Sequence, residues 1–409
     1  MKYKDIINYL ENQRKYNSVA HIKKALDLFE LDIDPAKVII VAGTNGKGTT
    51  CATLQTLLVE SGKNVGFFSS PHLEKTNERI KFNCVDISDD DFCDVFFKVH
   101  EKVKDFELSH FEYLTVMAAC YFFGHHKSNI DYAIFEVGLG GTLDATNAIP
   151  HDISVITKLG FDHEHILGKT LKEIAGNKFG IISENNVVFH TKFDSEIKEL
   201  SRKYAEKYSA KFIEAPSYSL EIDCSKKYPL FKVSSKFGDF NINLPGDRAA
   251  ENSILAFTVF DYLIEDSQKY FYAMEKVYWP GRMEKIVYKN RDVFLSGDHN
   301  TQGVQSLLDI LKYYKFKKVH LVVGICNNKN HSEMLKMLMS IPNADLYLTE
   351  TPERSLRVDE YEEEFVNIAK FVSPNPIEAL NSAISNSSND DLIVVTGSLF
   401  LVGFIRSCR

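Results

Sequence analysis

A chain of 409 residues is too long for one ordinary hydrophobic core, so two domains are expected. With 44% hydrophobic and 25% charged residues the composition is that of a soluble globular protein, and a net charge of −8 lacks the basic excess of a nucleic-acid binder. No run approaches the ~18 apolar residues of a membrane span, and the scattered cysteines form no C-x-x-C pair, so neither a disulfide framework nor a zinc knuckle is expected.

Residues 1–10 predict an amphipathic helix with Ile6, Ile7 and Leu10 on one face, without the basic start and apolar run of a secretory signal. A cytoplasmic protein is expected. Val38–Ala42 is the first buried-strand run, followed by a glycine-rich loop and an apolar helix over 49–61. Further strands are predicted at 132–137, 153–157 and 187–189, with helices at 111–125 and 171–182. Strands alternating with helices imply a parallel sheet. The rhythm breaks at 220–244, where short alternating runs at 231–233 and 240–242 suggest a β-ribbon insert, before a helix over 249–262. Pro280-Gly281 stops the preceding helix and turns the chain. A second α/β series follows, with strands at 293–295, 319–323, 344–348 and 392–396 and a helix over 304–314. The acidic run 359–364 reads as a solvated helix face. The expected fold class is therefore α/β, with a large N-terminal P-loop ATPase-like domain (1–280, parallel sheet plus β-ribbon) and a smaller C-terminal Rossmann-like domain (281–409).

The loop Gly43-Thr44-Asn45-Gly46-Lys47-Gly48-Thr49-Thr50 carries the strongest chemical signal. Glycines let backbone N–H groups turn inward around phosphate oxygens, and a helix N-terminus adds its positive end. Lys47 supplies a point charge and Thr49 a hydroxyl for Mg²⁺. The G-x-x-x-x-G-K-[ST] pattern is not fully met, since Val41 holds the first glycine position and Gly48 separates Lys47 from Thr49. The bland alternative is a strand-to-helix turn with a surface lysine. Glu136 closes a buried strand before a glycine turn, as a salt-bridged carboxylate or, given the loop upstream, as a Mg²⁺ ligand. His163 follows another strand and reads as a satisfied polar residue, a base or a ligand. Ser70 stands before Pro71, and Lys178 falls on the predicted helix 171–182, where a plain surface lysine is the alternative.

Gly-Thr-Asn-Gly-Lys-Gly followed by a hydroxyl resembles the phosphate loop of the dihydrofolate synthase/folylpolyglutamate synthase family within the Mur ligase superfamily. Several further segments are similar to that family's motifs: Ser69-Ser70-Pro71-His72-Leu73 with Asn77-Glu78-Arg79-Ile80, Phe111-Glu112-Tyr113, Glu136-Val137-Gly138-Leu139-Gly140-Gly141 with Leu143-Asp144-Ala145-Thr146-Asn147, and Gly160-Phe161-Asp162-His163 with Lys178. Trp279-Pro280-Gly281-Arg282, Gly297-Asp298-His299-Asn300 and Thr396-Gly397-Ser398 extend the likeness to the second domain. The resemblance implies ATP-dependent ligation of L-glutamate to dihydropteroate or a reduced folate, by a monomer with no nucleic-acid or membrane partner. It implies two Mg²⁺ sites, one at Thr49 and Glu136, the other at Ser70, Glu136, His163 and a carbamylated Lys178. His163 enters that set by the resemblance alone, since Mg²⁺ prefers oxygen. Lys47, Lys178 and His299 are implied as catalytic, Asn252 and Arg282 as further ATP contacts, and Asp298, His299 and Ser398 as substrate contacts.

The second domain departs from the pattern. Arg248-Ala249 stands for the family's His-Gln, Ser296 for an Asp that Asp298 could replace from two positions on, Thr142 for an Arg, and Asn328-Lys329-Asn330 for Asp-Lys-Asp. A cell-wall Mur ligase is disfavoured by the short stretch before Gly43; a regulatory ATP-binding module without ligase activity is the rival from another class.

Overall fold

The computed structural model describes residues 2–125 and 129–409. The chain divides into two compact units, Met1–Ser219 with Ser234–Phe240 and Glu251–Val277, and Leu220–Val233 with Asn241–Ala250 and Tyr278–Arg409. Among the described residues no helix is long and apolar enough to cross a membrane.

The first unit is built on β1 (Val38–Ala42), β2 (Val65–Phe68), β3 (Ile80–Phe82), β4 (Val85–Asp86), β5 (Tyr132–Glu136), β6 (Ile153–Ile156), β7 (Val187–His190) and β8 (Lys211–Glu214). They form one sheet in the order β4-β3-β2-β5-β1-β6-β7-β8. β1 pairs in parallel with β5, Val41 opposite Glu136, and with β6, Ala42 opposite Ile156. All of β1 is buried, which is why it reads as an unbroken apolar run rather than an alternating one. Only the β2–β3 and β3–β4 pairings are antiparallel. The carboxyl ends of β2, β5, β1 and β6 therefore open on one edge, where open α/β sheets place their ligands.

The predicted strands are all present, while β2, β3, β4 and β8 were not expected. β2 is hidden by Gly66, an unusual strand residue. Packing requires it, because a Cβ there would lie 2.6 Å from the Phe122 ring. The single helix expected over 111–125 is an α-helix, His110–Ala119, continued by a π-helical segment, Cys120–His125. Ser109 caps it, and the buried Glu112 carboxylate accepts from Ser109 N (2.8 Å) and from Asn17 N and Nδ2 (2.7 and 2.8 Å), tying the helix to the N-terminal segment.

The expected β-ribbon is a three-stranded sheet, β9 (Tyr218–Asp223), β10 (Leu230–Ser235) and β11 (Gly238–Ile242), in the order β11-β10-β9. The second unit's main sheet contains β12 (Arg282–Tyr288), β13 (Arg291–Ser296), β14 (Val319–Val323), β15 (Ala344–Thr349), β16 (Phe371–Ser373) and β17 (Leu392–Thr396). Their order is β12-β13-β17-β14-β15-β16, parallel except for the β12–β13 hairpin. The turn of that hairpin holds Lys289 and Asn290 at φ 48° and 60°, the paired left-handed conformation of a tight two-residue loop. The acidic run 359–364 is a 3₁₀ turn, Val358–Glu360, followed by a separate helix, Glu363–Ile368, so its solvated carboxylates do not share one helix face.

Candidate active site

The phosphate loop leaves β1 at Gly43 and enters the helix Lys47–Glu60 at Gly46. Both glycines are obligatory. Gly43 has φ 153° and a Cβ there would meet Thr157 Oγ1 at 1.8 Å; Gly46 has φ 89° and its Cβ would meet Asn252 Oδ1 at 2.2 Å. Asn252 thus stands against the loop. Thr44 N and Asn45 N donate to Lys158 O (3.0 and 3.3 Å), Thr44 Oγ1 donates to Gly160 O (2.9 Å), and Thr157 Oγ1 donates to Asn45 O (2.8 Å). The segment after β6 therefore holds the loop rigid. Thr157 was not picked out on sequence, since a threonine closing a strand carries no motif. By helix geometry the first-turn N–H groups have no intrahelical acceptor and face a prospective anion. Thr50 Oγ1 is buried there without a hydrogen-bond partner.

Two amines share one carbonyl. Lys47 Nζ lies 3.2 Å and Lys178 Nζ 2.9 Å from Gly43 O. Lys178 is 4% exposed, so it is no surface lysine. Its helix ends at Phe179 rather than at 182. Burial, then the Lys47 charge, lowers its pKa to about 7, with Asp162 and Asp144 opposing. The loop after β5 docks on the same helix, with Thr142 N and Oγ1 both on Asn177 O (2.9 and 3.0 Å). Asp144 anchors that loop by accepting from Leu139 N, Thr146 N and Thr146 Oγ1 (2.9, 3.0 and 2.6 Å).

Glu136 is buried at the end of β5 and accepts from Ser70 N at 3.2 Å. Ser70 precedes a cis peptide bond to Pro71, a geometry not anticipated from sequence. Thr49 sits in the first helical turn beyond the loop. His163 follows β6 on an exposed connection, at φ 49°, its backbone N–H on Asp162 Oδ1 (2.9 Å). Among the described residues no three His, Cys, Asp or Glu side chains are arranged to hold a metal. A cation here would depend on hydroxyl oxygens and Glu136, a donor set that suits Mg²⁺.

Beside Ser70 lies a polar group of His72, Arg79 and His110, for which the sequence motifs imply no role. Arg79 Nε donates to His72 Nδ1 at 2.9 Å, and His110 Nε2 is buried without a partner. Burial lowers the pKa of His72 to about 3 and of His110 to about 4, with Arg79 adding to both. Burial also lowers Arg79 to about 10, against the pull of Glu136, Glu78 and Glu11.

In the second unit, Asp298 lies beyond the end of β13, so the two-apart strand argument does not apply. The two residues still meet, because Ser296 Oγ donates to Asp298 Oδ2 at 2.6 Å. Burial raises the Asp298 pKa, while Arg282 and Arg248 pull it down. Arg248, one departure from the family pattern, therefore faces another. His299 Nδ1 is 3.0 Å from Gly297 O. Ser398 caps the helix Leu399–Ser407 through Phe400 N (3.1 Å), with Cys326 Sγ at 3.4 Å from its hydroxyl. β13 and β17 are parallel neighbours, Ser296 opposite Thr396, which brings the 298–299 and 398 turns to one edge.

Comparison with known proteins agrees with this architecture. Residues 41–260 match the Mur ligase middle domain and residues 281–399 the Mur ligase glutamate ligase domain. The chain is 30% identical to the dihydrofolate synthase/folylpolyglutamate synthase of Bacillus subtilis (strain 168), covering 99% of this chain and 98% of that protein. The folylpolyglutamate synthase of Mycobacterium tuberculosis complexed with ADP superposes with a TM-score of 0.88 at 23% identity, covering 99% of this chain and 98% of the other. E. coli FolC in complex with DHPP and ADP gives a TM-score of 0.84 at 25% identity, covering 100% and 97%. The chain belongs to the dihydrofolate synthase/folylpolyglutamate synthase family of the Mur ligase superfamily.

Proposed function

We propose that this protein couples ATP cleavage to the joining of L-glutamate onto the carboxylate of dihydropteroate, of a reduced folate, or of both. The observation that carries the reading is the phosphate loop whose Gly43 carbonyl takes hydrogen bonds from both Lys47 and Lys178. The name of the B. subtilis relative supports both activities, and the E. coli structure holds DHPP with ADP.

A carboxylate and an amine do not condense unaided, because the amine is protonated and the carboxylate oxygen is a poor leaving group. Transfer of the γ-phosphoryl group to the carboxylate gives an acyl phosphate; the glutamate amine attacks its carbonyl carbon and phosphate departs. In this reading residues 43–50 cradle the ATP phosphates with Lys47 as their countercharge, while Asn252 and Arg282 add contacts to the nucleotide. Asp298, His299 and Ser398 hold the glutamate, and His299 acts on its amine. Mg²⁺ at two sites, one at Thr49 and Glu136 and one at Ser70, Glu136, His163 and carbamylated Lys178, would neutralise charge on the migrating phosphoryl group. Attack on CO₂ needs a neutral amine, which an ordinary lysine near pKa ~10.4 scarcely supplies at neutral pH. A Lys178 lowered to about 7 supplies it through burial, before any cation acts. We assign 1–280 as the ATP-binding domain and 281–409 as the glutamate-ligase domain of a monomeric cytoplasmic enzyme without nucleic-acid or membrane partners.

The deciding assay is ATP-dependent incorporation of labelled glutamate, run separately with dihydropteroate and tetrahydrofolate. Incorporation with at least one is expected. ATP binding without incorporation into either acceptor would instead make the chain a regulatory nucleotide-binding module.

A further inference from the structure

Arg79 closes the 3₁₀ turn Thr76–Arg79, and its carbonyl accepts from Ser69 N at 2.9 Å, which fixes the residue beside Ser70 and Glu136. Its guanidinium uses one donor, Nε, on His72 Nδ1. Among the described residues no carboxylate lies within ion-pair distance of it. Because His72 Nδ1 accepts, the imidazole is neutral and its remaining proton is on Nε2. His110 N donates to Gln13 O (2.9 Å), fixing that backbone, while its own Nε2 is buried and unpartnered. All three side chains are only partly exposed. The neutral His110 ring already meets the Leu10 backbone, so its Nε2 is an acceptor, whereas the terminal nitrogens of Arg79 and the Nε2–H of His72 are donors that an anionic ligand can take. Nearby anions do not meet the need. Glu78 is engaged by the N–H groups of Leu73, Glu74 and Lys75 (2.8, 2.9 and 3.0 Å), and Glu136 by Ser70 N.

A planar guanidinium fork with two free terminal nitrogens matches a carboxylate. The two acceptors differ in that group. Dihydropteroate has one carboxylate, which must go to the phosphoryl group, whereas a folate ending in glutamate has a second, the α-carboxylate beside the reacting γ-carboxylate.

We propose that Arg79, with His72, is a subsite for the α-carboxylate of a glutamate-tailed acceptor, and that it favours folates over dihydropteroate. This rests on the ligase reading above. The test compares the native protein with Arg79→Gln and Arg79→Lys, by steady-state kinetics and by equilibrium binding of tetrahydrofolate and dihydropteroate without ATP. In Arg79→Gln, tetrahydrofolate binding should weaken at least ten-fold more than dihydropteroate binding, about 1.4 kcal/mol in the difference. Arg79→Lys should recover part of that selectivity, and both variants should keep a near-native melting temperature. Equal weakening for both acceptors, undiminished tetrahydrofolate binding, or no native binding of tetrahydrofolate would overturn the subsite. If the native protein incorporates glutamate into neither acceptor, the ligase reading falls while the binding ratio still decides the subsite.

Discussion

A buried amine is unfavourable unless neutral, and Lys178 meets this by giving up its proton near neutrality and donating to a carbonyl. The folded state binds this proton less tightly than the unfolded chain, so stability falls as pH drops from about 10.5 to about 7 and levels off below. Lys178→Met should therefore melt a few degrees higher than the native protein at pH 7 while losing nearly all turnover. Parallel melting curves and initial rates check this, and a destabilised variant would show that the hydrogen bond to Gly43 outweighs the burial penalty. Lys47→Ala should abolish glutamate incorporation with little change in melting, because its amine supplies the loop's countercharge. At Asp298, burial opposes ionisation and two arginines favour it. Asp298→Asn should raise the KM for glutamate and leave ATP affinity intact; unchanged kinetics would show that the second unit's carboxylate was lost from the family pattern rather than moved.

At the scale of elements, the loop between β1 and the helix Lys47–Glu60 works only because two positions lack a side chain. Gly46→Ala faces both the left-handed backbone, which costs a non-glycine residue roughly 1–2 kcal/mol, and the Asn252 side chain at 2.2 Å from the new Cβ. ATP affinity should fall at least ten-fold, measured by titration with a fluorescent ATP analogue. The double variant Gly46→Ala/Asn252→Ala should regain only part of it, since removing the clash leaves the backbone strain; full recovery would mean that φ at Gly46 matters little. The β12–β13 hairpin makes a related point. Its turn uses left-handed Lys289 and Asn290 where glycine is the usual signal, so no Asn-Gly or Asp-Gly pair announced it.

For the whole molecule, both main sheets are mostly parallel, and each gathers its candidate residues at the carboxyl ends of neighbouring strands. Several histidines are buried in these units with lowered pKa values: His110 beside Arg79, His190 stacked on Phe193, and His320 between Asp345 and Asp391, where burial outweighs both carboxylates. Each is neutral when folded and readily protonated when unfolded. Stability is thus complete above about pH 6.5 and declines as pH falls below it, by up to about 1.4 kcal/mol per pH unit for each histidine. Urea unfolding at pH 7.5, 6.0 and 5.0 should show falling midpoints; a flat profile would mean these imidazoles are protonated in the fold. The α/β class, the phosphate loop and the order of the motifs were legible in the sequence, because a strand buried on both faces needs a continuous apolar run and a phosphate loop needs its glycines, lysine and hydroxyl close together in the chain. Strand β2 was not, because the glycine that breaks its pattern answers to a phenylalanine far along the chain. The burial of Lys178, the meeting of Arg248 with Asp298, and the unused donors of Arg79 were likewise beyond reach. Each depends on which distant residues exclude water from a polar group, and that is decided only when the chain has folded.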